Sequence, residues 1–310
     1  MSNPPVNLTN GMTLMTTSTH TQDFYQLITD KIVQSLEAGI KPWQCPWDTT
    51  CASGLPVNAS THSAYSGMNI MLLWISAAEQ GFSSQYWLTF KQAKEMGGNV
   101  RKGEKGTRIF FYKMVQKKGA LNEEECYPML KTYVVFNVDQ IDGLDGKVTG
   151  PTPIPTQDSV ACIDEVEAFI EATQANITYG GAKAFFRPST DNIVIPEKTR
   201  FTSTPDRYAT IMHELTHWTG HKSRLDRDLK NKFGSKDYAF EELIAELGSA
   251  FLMAELGIVG DVQHESYIAS WLQALKNDKR YIFKAAASAS KAHQYLTDLV
   301  QHNESKQSAA

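Results

Sequence analysis

Residues 213 to 217 read His-Glu-Leu-Thr-His, and two histidines four positions apart with an acid beside the first suit metal-assisted hydrolysis. On an α-helix such a pair stands about 6 Å apart along the axis on one face, so His213 and His217 can grip one ion. Neutral imidazole nitrogens favour Zn²⁺, with other divalent transition metals as substitutes, and a catalytic ion takes a third protein ligand while keeping one position open for water. Glu214 would then act as general base toward a water whose pKa the ion lowers to about 7. The competing reading is a helix that happens to carry two surface histidines.

The flanks predict the helix that must position these groups. Thr204 is the expected N-cap, Pro205 the first helical residue, Asp206 an acid in the first turn, and Gly220 the stop. Tyr208, Ile211, Met212, Leu215 and Trp218 supply apolar faces, so the helix is expected to be packed, and polar groups inside it need a reason to be there. The third ligand is sought downstream, where Asp237 to Leu256 reads as a second helix ended by Gly257. This segment is apolar around most of its circumference, yet Glu242 and Glu246 share a stripe with Ser249 and Met253, and unpaired carboxylates in a buried helix are costly. Glu242 is the expected ligand, with Glu246 orienting a histidine from behind or replacing Glu242 as ligand. His221 is a further alternative, although Gly220 should end the helix before it. Ion pairs with Arg224 or Arg227 would be the plain structural use of the same acids.

With 310 residues the chain has room for two domains, and 42 % apolar with 21 % charged residues is ordinary for a soluble protein. A net charge of −4 excludes a uniformly basic coat but not a local basic patch. Cys45, Cys51, Cys126 and Cys162 form no C-x-x-C pair, which predicts free buried thiols in a reducing, cytoplasmic compartment. No window has the length and apolarity of a membrane span, and residues 1–20 lack a signal-peptide core. Composition predicts a tail over 1–20, a first domain over 21–146, a linker over 147–157 containing Gly150 to Pro155, a second domain over 158–302 and a tail over 303–310. The expected class is α+β.

In the second half a helix from Val160 to Ala175 precedes a hairpin, Ala184 to Phe186 with Asn192 to Ile195. The histidine helix follows, and Ser266 to Leu299 is expected to be helical. In the first half, helices are expected over Asp23 to Ala38 and Ile70 to Ala78. Between residues 91 and 118 nine Lys or Arg face two acids, Glu95 and Glu104. A glycine-bearing turn with Arg101, Lys102, Lys105 and Arg108 leads into a strand, Ile109 to Met114, expected to pair antiparallel with Lys131 to Val138 across the acidic tip Asn122 to Glu125. A sheet edged by cations and supplied with aromatics can track a phosphate backbone and stack unpaired bases, as single-stranded nucleic acid requires. Candidate contacts are Trp43, Trp47, Tyr65, Asn69, Trp87, Lys91, Gln92, Arg101, Lys102, Lys105, Arg108 and Phe136. The bland alternative makes the aromatics core residues and the charges a solvated face.

The runs PWQCPW, YSGMN, WLTFKQA, GGNVRKGEKG and YVVFNVDQIDGL resemble the N-terminal domain of ArdC-type antirestriction proteins, and are similar to the N-terminal part of TraC-type primases. HELTHWTGHKSRLDRD and EELIAELGSAFL resemble the zincin-like metallopeptidase domain of the same family. The resemblance spans roughly residues 20 to 300 and implies a plasmid-borne protein that binds DNA, preferentially single-stranded with double-stranded DNA as a second form. It would shield incoming DNA from host restriction during conjugation. It also implies an edge strand ahead of the site helix able to pair with an extended peptide, restriction subunits being one class of protein substrate. Two other functions stay open: a DNA-recruited zinc protease acting on DNA-bound proteins, and a metal-stabilised DNA-binding scaffold without catalysis. Position 223 is Ser where metzincins place a third histidine, and 24 residues separate His217 from Glu242, a longer gap than in thermolysin-like enzymes.

Overall fold

A computed structural model describes residues 23–43, 54–116, 126–148, 160–229, 235–258 and 267–308. The architecture is mixed α/β and two-domain, with helices and, among the described residues, three small sheets. In the first half α1 (Phe24–Glu37) starts where the Asp23 side chain accepts from the Tyr25 N–H. It is followed by β1 (Val57–Asn58), α2 (Met68–Gln80), β2 (Tyr86–Thr89), α3 (Phe90–Glu95), β3 (Asn99–Val100), β4 (Thr107–Gln116), β5 (Cys126–Asn137) and β6 (Ile141–Asp142). A four-stranded sheet runs in the order β1-β2-β5-β4, with β1 parallel to β2 and the remaining pairs antiparallel. The expected hairpin is present and longer than the sequence suggests, with Ile109 opposite Tyr133.

The second half contains α4 (Val160–Ala172), β7 (Ile177–Tyr179), β8 (Phe185–Arg187), β9 (Asn192–Ile195), α5 (Thr204–Thr219), α6 (Lys236–Glu255), α7 (Ile268–Asn277) and α8 (Tyr281–Ser308). Its sheet is ordered β7-β9-β8, so β8 is an edge strand, and α5 follows β9. Two expectations need correction. The cap of α5 is Ser203, whose hydroxyl accepts from Asp206 N–H at 3.2 Å, so Thr204 already belongs to the helix and Pro205 lies one position further in. The helical segment after 266 is broken: Asp278 takes an extended backbone and its carboxylate accepts from Arg280 N–H at 2.8 Å, starting α8 anew. A side chain that satisfies a helix-entry N–H competes with continuation of the preceding helix.

Helix α6 is the centre of the molecule. On one side it shares an apolar core with α1, α2, α7 and α8, through residues such as Ile32, Met71, Phe251, Trp271 and Ala286. On the other, its C-terminal part joins a second core with α4, β9, α5 and the far end of α8. Ala285, Ala286, Ala289 and Ala292 are fully buried, and their small side chains let α8 lie close to α6. Against α5 the approach is closer still. A β-carbon on Gly248 would lie 2.5 Å from Thr216 Cγ2, and Ser249 Oγ donates to Ala209 O at 3.0 Å. This crossing sets Glu242 beside the two histidines.

Candidate metal centre

His213 is 2 % exposed and Glu214 5 %, burial that polar groups tolerate only with partners. The partner of His213 is on α6. The Nε2 atoms of His213 and His217 lie 3.1 Å apart. Glu242 reaches both, Oε2 at 3.5 Å from His213 Nε2 and Oε1 at 3.6 Å from His217 Nε2. Ligands of a tetrahedral ion at bonds of about 2.1 Å are spaced about 3.4 Å apart, so this triangle fits a first-row divalent ion. Among the described residues, these three form the group of His, Cys, Asp and Glu side chains able to share one ion.

Charge leads to the same reading. Burial disfavours the His217 imidazolium, but a hydrogen bond to Glu241 and the charges of Glu242, Glu241 and Glu214 outweigh it and raise its pKa to about 9. Burial likewise opposes ionisation of Glu242, yet the hydrogen bond from His213, the charges of both histidines and a hydrogen bond from Tyr238 bring it down to about 2. Without metal the site holds a proton where its carboxylates call for positive charge, and an ion can replace it.

Glu241 is a residue the sequence reading missed. Its Oε1 lies 3.1 Å from His217 Nδ1, on the far side of the ring from Glu242. Burial opposes its ionisation, but hydrogen bonds from His217 and Arg227 hold it below the usual carboxylate range. Hydrophobic periodicity treats 241 as one more position on a buried helix, and only the histidine opposite reveals its use. Glu246 is also buried, one turn beyond Glu242 on α6, and stands outside the three-donor group. His221 lies beyond the end of α5, with Nδ1 2.7 Å from Ser223 Oγ, and lines a neighbouring hollow with Asp226 and Lys222.

The three donors and Glu214 open into a cleft of about 370 Å³ walled by Phe185 and Phe186 of β8, Leu229, Tyr238 and Tyr267. Burial first, then Tyr267 and Glu242, push the Tyr238 hydroxyl up, so it stays protonated. One carboxylate oxygen of Glu214, Oε2, is buried with no hydrogen-bond partner among the described residues.

A fold of this kind has solved counterparts. The metal-free crystal structure of the antirestriction protein ArdC from plasmid R388 superposes with a TM-score of 0.76 at 43 % identity, over 90 % of this chain and 98 % of that one. The chain belongs to the ArdC family of antirestriction proteins. A second ArdC structure, solved with Mn(II) bound, matches with a TM-score of 0.73 at 44 % identity over 91 % of this chain and 98 % of that one. The family profile of the N-terminal domain of anti-restriction factor ArdC matches residues 22–136, and that of the zincin-like metallopeptidases residues 164–288. Among curated proteins, a DNA primase TraC of Escherichia coli is 39 % identical over 88 % of this chain. An uncharacterized protein y4eC of Sinorhizobium fredii is 37 % identical over 86 % of this chain and 89 % of its own length. The chain spans about a fifth to a quarter of the TraC primases it matches, 20 % of one and 27 % of another.

In the ArdC-type N-terminal domain the expected DNA contacts separate into distinct roles. Trp43 and Trp87 are each 1 % exposed, Trp43 packed edge-on against Trp271 and Trp87 against Phe82, so neither offers a face to a base. Bulk and apolarity draw them inward, and a stacking function cannot be read from residue type alone. The Asn69 amide donates to Phe110 O at 2.7 Å and accepts from Phe110 N–H at 2.9 Å, pairing with the backbone of β4 as a neighbouring strand would. Gln92 closes the capping box of α3 with Thr89. Arg101 is held by Glu104, Asp142 and the Asp139 carbonyl. Tyr65 is half-buried and accepts from Asn58 Nδ2, and Phe136 is half-buried against Phe90. Lys91, Lys102, Lys105 and Arg108 are exposed, Lys91 pairing with Glu95 and Arg108 lying over the Phe24 ring. Trp47, the acidic tip and most of the linker lie outside the described residues, as do all four cysteine side chains.

The exposed aromatics of this sheet are different residues. Phe111 and Tyr133 are 54 % and 43 % exposed with ring centroids 6.4 Å apart. Tyr133 faces Ile109 across the ladder and Lys131 faces Phe111, so both rings and Lys131 share one face of the hairpin. Alternation in β4 and β5 could have singled them out, had size not favoured the tryptophans. Among the described residues no helix is long and apolar enough to cross a membrane.

Proposed function

We propose that this ArdC-family chain protects incoming DNA from restriction during conjugation by binding it in single-stranded form, and that its second half is a zinc-dependent peptidase centre. The observation that carries the catalytic part is the His213, His217 and Glu242 donor triangle, with edges of 3.1 to 3.6 Å, opening into a cleft beside Glu214. Zinc suits two imidazoles and a carboxylate, and the Mn(II)-bound relative supports a divalent ion of this class. A bound ion would supply Lewis acidity toward a peptide carbonyl and lower the pKa of a water. Glu214, whose Oε2 has no hydrogen-bond partner among the described residues, would accept a proton from such a water and return it to the leaving amine. The Tyr238 hydroxyl, kept protonated and donating to Glu242 in the metal-free site, would have to turn from that carboxylate to donate toward the carbonyl oxygen as charge develops there. Edge strand β8 offers an extended peptide a place to pair.

DNA is assigned to the four-stranded sheet. Phe111 and Tyr133 supply stacking surfaces, and Lys131, Lys102 and Lys105 supply cations for phosphates. Binding of this kind favours single strands, because unpaired bases alone present their faces.

Plasmid transfer into restricting and non-restricting recipients tests the whole reading, using the parent, Glu214→Ala, and Phe111→Ala with Tyr133→Ala. Loss of protection in the aromatic variant, confined to restricting recipients, is the expected result. Loss in the Glu214 variant as well would make peptide hydrolysis part of protection. Protection unaffected by the aromatic variant would refute the assignment of DNA to this face, and protection unaffected by Glu214→Ala would separate peptide hydrolysis from protection.

A further inference from the structure

Gly220 follows His217 by three positions, where the sequence suggests only a helix stop. Its backbone is ordinary right-handed helix, φ −75° and ψ −8°, so conformation does not require glycine. Space does. A β-carbon there would lie 2.9 Å from Arg227 Nη2, 3.0 Å from its Cζ and 3.0 Å from His217 O.

The guanidinium filling this space joins two helices. Arg227 Nε donates to Glu241 Oε2 at 3.0 Å and Nη2 to Oε1 at 2.8 Å, a two-pronged pair. The same group donates to Thr216 O at 2.7 Å and to Thr219 Oγ1 at 2.8 Å, at the C-terminal end of α5. The Arg227 backbone N–H closes the loop onto Gly220 O at 2.9 Å. Glu241 in turn meets His217 Nδ1 at 3.1 Å.

We propose that Arg227 and Glu241, with Gly220 leaving room for them, form a positioning relay that fixes the ring and tautomer of His217 for metal binding. The proposal rests on the metal-centre reading above. An acceptor at Nδ1 places the ring proton there and leaves the Nε2 lone pair facing His213 and Glu242. A buried carboxylate next to Glu242 would otherwise compete for the ion, and the fork of Arg227 keeps Glu241 ionised and turned to the other edge of the ring. Because one guanidinium also grips the carbonyl end of α5, it aligns the helix that carries the ligand and the acid that orients it. These residues are positioning residues, since they act through His217.

The test is titration of the full-length, metal-stripped protein with Zn²⁺ and with Co²⁺, following heat and the visible spectrum of the cobalt form. Glu241→Gln, Arg227→Met and Gly220→Ala should each weaken binding by about 10 to 100-fold and alter the cobalt bands. The double variant Glu241→Gln with Arg227→Met should be no weaker than the worse single, since both act through one contact. Affinities within about twofold of the parent, or additive losses in the double variant, would overturn the relay, as would losses that merely track lower thermal stability of the metal-free variants. Glu241→Gln preserves shape and guards against a folding artefact. A parent that binds neither ion is a different result, which would refute the metal centre itself.

Discussion

Gly248 of α6 faces Thr216 of α5 so closely that a β-carbon on the glycine would sit 2.5 Å from the threonine methyl. The residue after Thr216 is His217, and the glycine lies less than two turns from Glu242, so this contact sets the distance between the proposed ligands on the two helices.

Gly248→Ala should therefore separate the helices and weaken metal binding. Overpacking of this sort costs about 1–3 kcal/mol, to be read as a lower unfolding midpoint of the metal-free protein together with reduced zinc affinity. A variant with parental stability and affinity would show that α5 and α6 can slide without consequence for the site.

Proton linkage gives a second expectation. In the metal-free protein His217 has its pKa raised to about 9, above the unfolded value of about 6.5. Its contribution to stability is thus complete below the unfolded value and is lost as pH rises through 9. A metal ion bound at the proposed centre would take the place of that proton, so zinc affinity should rise with pH up to about 9 and binding near neutrality should release a proton. Calorimetry in buffers of different ionisation enthalpy measures this directly, and heats independent of buffer would contradict it.

Substitution of Glu214 should separate metal binding from chemistry. Glu214→Ala leaves the donor triangle intact and removes the proton acceptor, so metal content should stay parental while hydrolysis of a cleavable peptide falls by about 10²–10⁴-fold. Comparable rates in both proteins would remove Glu214 from the role of base.

At the sheet, two classes of substitution should behave differently toward an oligothymidine strand. Lys105→Ala should reduce the slope of log affinity against log salt by ~1. Phe111→Ala with Tyr133→Ala should lower affinity at all salt concentrations, by about 1–3 kcal/mol per stacked base, with the slope unchanged. Arg101→Ala should do little to the slope, because its guanidinium is already paired with Glu104 and Asp142.

Trp87→Ala offers a control on the core. Fully buried tryptophans removed from a core cost about 3–5 kcal/mol, so this variant should lose stability first and bind DNA only as far as it remains folded. A stable Trp87→Ala protein with selectively impaired DNA binding would return Trp87 to the interface.

Local patterns made much of the molecule legible in advance. The helix of His213 and His217, the acid-bearing helix of Glu242, the hairpin of Ile109 and Tyr133 and the pair of β8 and β9 were all readable from periodicity and caps. What escaped depends on contacts across the fold. Glu241 differs from its neighbours only through the imidazole it meets, Asn69 only through the strand backbone it pairs with, and Trp87 only through a helix that covers it. The break at Asp278 escaped because one carboxylate can cap a helix within a continuous helical pattern.

The core shared by α1, α2, α6, α7 and α8 bears on how the protein can be handled and how it could have evolved. Ile32 and Met71 from the first half lie in the same cluster as Phe251 and Trp271 from the second. Cut apart, each half would bare a greasy flank made for the other, and neither would behave as a clean module in solution. Two recognisable sequence families have thus been joined by more than a tether, and a change selected in one half is felt as packing in the other.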